Sequence, residues 1–146
     1  MLNRWVTYGT FACLLLALLL CEQRQSRAAL PERERPIATV TLTVGKEAQD
    51  ELIMRLKEFA EASAFTTRVV HYGNDKQHYL VEFWRGDVHI KVMNPFNDIR
   101  YFSVFIYRTG QAPVPAAHLD ALVSDIQGVI NEVRGATIDG IKKPSE

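Results

Sequence analysis

The chain has 146 residues, room for one domain with a leader or a tail. Its 17 basic residues balance 17 acidic ones, and both kinds are scattered along the sequence. That argues against a nucleic-acid-binding domain, which needs a basic excess on one face.

The first thirty residues, MLNRWVTYGTFACLLLALLLCEQRQSRAAL, run from a cationic start through an apolar block at 11–20 into a polar region. That is the order of a secretory signal peptide. The uncharged run at 5–21 has 17 residues, at the lower limit of about 17 for a membrane-spanning helix. Three fates compete: cleavage after Ala28, lipid attachment at Cys21, and retention as an uncleaved anchor. Ser26 and Ala28 supply the small residues a cleavage site needs. Cys21 closes the apolar block in a way that resembles bacterial lipoproteins, although Leu20 stands where a small residue is usual.

Residues 1–28 are thus read as leader or anchor, and 29–36 as linker (22–36 if Cys21 is the anchor). Residues 37–135 are read as a folded domain and 136–146 as a loose tail. Removing the leader takes away Arg4, Arg24, Arg27 and Glu22, leaving a net charge of about −2. Both cysteines, Cys13 and Cys21, lie in the leader, so the domain has no disulfide and no thiolate metal site. A cysteine-free domain behind an export signal fits a bacterial periplasm, or a membrane-anchored place in the envelope, better than a disulfide-stapled extracellular module.

In the domain, IATVTLTV at 37–44 alternates apolar and polar residues, the pattern of a half-buried strand. Residues 46–62 place Leu52, Ile53, Leu56, Phe59 and Ala60 on one helical stripe. Glu47, Asp50 and Glu51 fall in the first turns, where the helix dipole favours negative charge. Strands follow at 66–72, 77–85, 88–93 and 100–108, broken by turn signals at 73–75 and 94–98. A second amphipathic helix at 115–134 opens with Pro115 and stops at Gly135. Its stripe is Leu119, Leu122, Val123, Ile126, Val129, Ile130 and Val133. The order β-α-β-β-β-β-α predicts a single α+β domain, a largely antiparallel five-stranded sheet with two helices packed on one face.

Between the third and fourth strands stands Arg85-Gly86-Asp87, a tripeptide that serves integrin adhesion in some secreted proteins. Gly86-Asp87 between two alternating runs is also a hairpin turn, and the turn reading is preferred. It sets Arg85 opposite Val88, Trp84 opposite His89, Phe83 opposite Ile90 and Glu82 opposite Lys91. In that register Val81, Phe83, Val88, Ile90, Val92, Phe102, Val104 and Ile106 face the helices. The opposite face carries Leu80, Trp84, His89, Met93, Tyr101, Phe105 and Tyr107, with Glu82 and Lys91 among them. An apolar face of that size marks an interaction surface, and Trp, Tyr and Met are enriched in interface cores.

Chemistry is harder to find. His78 and His89 share a face but lie about six residues apart along the ladder, roughly 20 Å, too far for one metal. His71 can approach only one of them, and His118 reads as a surface residue of the second helix. Ser63, Ser103 and Ser124 have no histidine at a motif spacing, and there is no phosphate loop or nucleophile elbow. No metal, cofactor, nucleic acid or catalytic activity is therefore expected. The expectation is a non-enzymatic bacterial envelope protein that binds another protein, or a second copy of itself, through the aromatic face. Inhibitor, immunity-type and assembly-factor roles fit equally. The alternative is a periplasmic small-molecule binder or small enzyme, with a pocket between that face and the tail.

Overall fold

The structure, a computed structural model, describes residues 35–72, 77–95 and 98–143. The leader, Cys21, the linker as far as residue 34 and the turn at 73–75 lie outside the described residues. Strand β1 (Ala38–Val44) leads through a single 3-10 turn (Lys46–Ala48) into helix α1 (Gln49–Ala62). Strands β2 (Thr66–Tyr72), β3 (His78–Arg85), β4 (Val88–Met93) and β5 (Tyr101–Arg108) follow, then helix α2 (Ala116–Glu132) and strand β6 (Ala136–Lys142). The sheet order is β2-β3-β4-β5-β1-β6, every neighbouring pair antiparallel.

The class is α+β as expected, but the sheet has six strands rather than five. Residues 136–142, expected to be loose, form β6 on the outer edge of β1. The reason this strand escapes a period-two reading is its bulge. Leu42 pairs with Ile138 and Val40 with Ile141, so Asp139 is an extra residue and the two isoleucines stand three apart. Gly135, at φ +94°, turns the chain from α2 into β6, and its carbonyl accepts a 2.9 Å bond from Gly45 N–H.

Both helices bury their stripes on one sheet face. The inner residues of β3, β4 and β5 (Val81, Phe83, Val88, Ile90, Val92, Phe102, Val104 and Ile106) are fully buried. They meet Leu52 and Leu56 of α1 and Leu122, Ile126 and Ile130 of α2 in one core. The expected β3–β4 register is observed: Arg85 opposite Val88, Trp84 opposite His89, Phe83 opposite Ile90, Glu82 opposite Lys91. Among the described residues no helix is long and apolar enough to cross a membrane.

Candidate functional site

The register lays out the outer sheet face as rows running across the strands. One row is Trp84, His89 and Tyr107; the next is Arg68, Glu82, Lys91, Phe105 and Thr39; a third is Val70, Leu80, Met93, Ser103 and Thr41. Tyr101 begins a fourth row beside Thr43. All seven sequence-predicted residues lie on this face, but they do not form one cluster. Trp84 stacks on His89 with centroids 5.1 Å apart and planes 8° from parallel. His89 stacks on Tyr107 at 5.7 Å, and Tyr107 meets Phe105 at 6.2 Å. Leu80 and Met93 are paired at the far end of the ladder, with Tyr101 one diagonal step from Met93. The Glu82–Lys91 pair and Ser103 stand between the two groups, which approach each other only diagonally, at Phe105 and Met93.

Exposure is uneven. Leu80, Trp84, His89, Met93, Phe105 and Tyr107 are half-buried, the rings against one another and Leu80 opposite Met93 across the ladder. Tyr101 is 49% exposed and stands proud of the face. Inside the stack, burial pushes the His89 imidazole below its ordinary value of 6.5, and the Lys91 ammonium adds to that effect. The Glu82 carboxylate, 3.5 Å from His89 Nε2, opposes both without reversing them. Burial also pushes the Tyr107 phenol up. The arrangement is a low-polarity, aromatic platform with a neutral imidazole at its centre.

The other half of this face is not apparent from the sequence. Thr39, Thr41 and Thr43 of β1 continue it, and β6 completes it. Thr43 Oγ1 donates to Asp139 Oδ2 at 2.8 Å, and Thr41 Oγ1 donates to the Gly140 carbonyl at 3.3 Å. The alternation of β1 already pointed to its threonines, but only the pairing of β1 with β5 shows that they adjoin the aromatic rows. The face therefore has an aromatic half on β3, β4 and β5 and a hydroxyl half on β1 and β6. Because β6 lies in the plane of the sheet, it borders this face and does not roof it.

Arg85 points the other way. Its Nη1 donates to the Ser63 carbonyl at 2.7 Å, its guanidinium lies 4.4 Å over the Phe65 ring, and Nη2 is 3.5 Å from His118 Nε2. Gly86, at φ +54°, makes the turn, and Thr109 pins it through bonds to the Gly86 and Asp87 carbonyls. The tripeptide is thus a turn whose arginine is committed to fastening the end of α1. Among the described residues no three metal-ligating side chains converge. No protein-family model matches the chain, and comparison with curated proteins gives no significant match.

Proposed function

We propose that this chain is an exported, non-enzymatic protein of a bacterial cell envelope that binds another protein through its outer sheet face. The observation that carries the reading is the stacked row Trp84–His89–Tyr107, with Phe105 tilted against Tyr107, on a face that neither helix covers. Aromatic side chains ordered before contact lose little conformational entropy on binding, which is what interface anchors require. The exported location rests on the leader pattern at 1–28 and on the absence of cysteine from residues 29–146.

The test is co-purification of a tagged full chain from envelope fractions, compared with a Trp84→Asp/Tyr101→Asp variant and with Tyr101→Asp alone. The double variant loses its partner while keeping a cooperative melt. Tyr101→Asp, at an exposed position, weakens recovery without altering the fold. Undiminished recovery with the double variant rejects the reading.

A further inference from the structure

The sheet has two edges, and they differ. The β6 edge is interrupted by its bulge and carries Asp139, Gly140 and Lys142, features that discourage pairing with another chain. The β2 edge, TTRVVHY, has neither proline nor glycine, a single formal charge at Arg68, and unbroken register with β3. Its free backbone groups can be identified. In a two-residue hairpin the pair that closes the turn exchanges both backbone bonds. Arg85, Phe83, Val81 and Tyr79 therefore turn their N–H and C=O groups toward β4, while Trp84, Glu82 and Leu80 turn theirs toward β2. The 2.8 Å bond from Tyr79 N–H to Asn94 Oδ1 agrees with that alternation. Thr66, Arg68 and Val70 consequently bond to β3, and Thr67 and Val69 present their N–H and C=O groups outward.

Beside this edge, on the helix side, lies a groove of about 290 Å³. Val69 and Tyr79 form its sheet wall; Asp50, Met54, Lys57, Glu58 and Glu61, spaced three and four apart along α1, form the other. Three carboxylates face one ammonium there, and Met54 is 49% exposed. Asp50 accepts the Tyr79 hydroxyl, and Glu58 is shared with Arg55 at 3.3 Å. Glu61 has no ion pair among the described residues.

We propose that β2 and this groove accept an extended cationic segment of another protein, added antiparallel to β2 as a seventh strand. The backbone of the segment bonds to Thr67 and Val69. Alternate side chains of the segment fall on the helix side, where an apolar residue meets Met54 and Val69 and a lysine or arginine meets Glu58 and Glu61. Charge separates this occupant from a second copy. Pairing β2 with its own twofold mate would bring two acidic α1 walls face to face, and the helix-side residues Thr67 and Val69 offer no cation in return. This surface is distinct from the aromatic face, and the inference does not depend on that face.

The test uses the full chain, ¹⁵N-labelled, with the end-capped peptide Val-Thr-Lys-Thr-Val-Thr-Lys (the Val-Lys peptide), whose valines and lysines share one strand face, its counterpart with Glu for Lys (the Val-Glu peptide), and a Val-Lys version N-methylated at alternate residues. Salt-sensitive binding of the Val-Lys peptide is expected, with amide shifts at Met54, Thr67 and Val69. Binding at least tenfold weaker is expected for the other two peptides and for a Glu58→Lys/Glu61→Lys variant, whose changes lie on the exposed side of α1. Thr67→Pro removes one outward N–H and leaves the β3 ladder intact; it is expected to weaken binding severalfold. Trp84→Asp/Tyr101→Asp retains full peptide binding. Equal binding of the Val-Lys and Val-Glu peptides, shifts centred on Trp84 and Phe105, or no binding at millimolar peptide overturns the proposal. So does a dimer of the free chain that Thr67→Pro abolishes.

Discussion

Ala64 stands where helices usually end in glycine. Its φ is +58°, and α1 closes with the full double-bonded cap: Phe65 N–H bonds to the Ala60 carbonyl at 2.8 Å and Ala64 N–H to the Glu61 carbonyl at 3.1 Å. Phe65 then folds back to meet Phe59, with centroids 6.2 Å apart. A side chain in that conformation costs about 1–2 kcal/mol, partly offset in glycine by the greater freedom of the unfolded chain. Ala64→Gly is therefore expected to stabilise the domain by up to about 1 kcal/mol, read as a higher urea midpoint at unchanged slope. Asn94, fully buried, is expected to behave oppositely. It accepts from Tyr79 N–H at 2.8 Å and donates to the Gln77 and Ile99 carbonyls at 2.9 and 3.0 Å. Asn94→Ala removes these three bonds, leaving the Ile99 carbonyl its 2.9 Å bond from Gln49 Nε2, at a cost of about 1–3 kcal/mol. His89 gives the pH dependence. Its imidazole binds a proton less readily folded than unfolded, so the unfolded chain takes up the proton first as pH falls. Stability contributed by neutral His89 is present above about 6.5 and is lost as pH drops through the folded value. His89→Gln should flatten that acid limb in urea melts taken from pH 7 to pH 5, and the imidazole itself should titrate below 6.5 by NMR.

At the scale of elements, legibility follows the regularity of each pattern. The inner faces of β3, β4 and β5 alternate, so their register and the buried residues from Val81 to Ile106 can be read from the sequence, whereas Tyr79 and His78, buried side by side at the start of β3, break the pattern. The stripes of α1 and α2 follow the 3.6-residue period and are found as expected. Strand β6 is illegible for a physical reason: its bulge sets Ile138 and Ile141 out of phase, and Asp139 and Gly140 are poor strand formers. The groove beside β2 is illegible for another. Asp50 reads as a helix-end carboxylate, and nothing in the sequence groups it with Glu58 and Glu61 until the sheet brings Val69 and Tyr79 opposite them. Arg85 is a third case, since nothing local indicates that it reaches Ser63 and Phe65. No residue of β6 is fully buried, and the strand bonds only to β1. Its amides are expected to exchange at least tenfold faster than those of β1, measured by hydrogen–deuterium exchange. A chain ending at Gly135 should melt at a lower temperature, having lost Ala136 and Ile138 from the margin of the core, and still melt cooperatively, because every fully buried core residue remains.

For the molecule as a whole, the asymmetry of the sheet is the central feature. One face is buried under two helices, whereas the other presents an aromatic half and a hydroxyl half with no described element across it. Such an arrangement gives the protein a rigid platform whose side chains are fixed by cross-strand packing rather than by a partner. The most direct measurement is site-specific photo-crosslinking in native envelope, with a benzophenone side chain placed at Tyr101, at Thr39 or at Asp125. Tyr101 and Thr39 lie on the outer face, while Asp125 is exposed on α2. One discrete adduct is expected from Tyr101, a weaker one from Thr39, and none from Asp125. Adducts from Asp125 as strong as those from Tyr101, or none from either sheet position, would contradict that expectation.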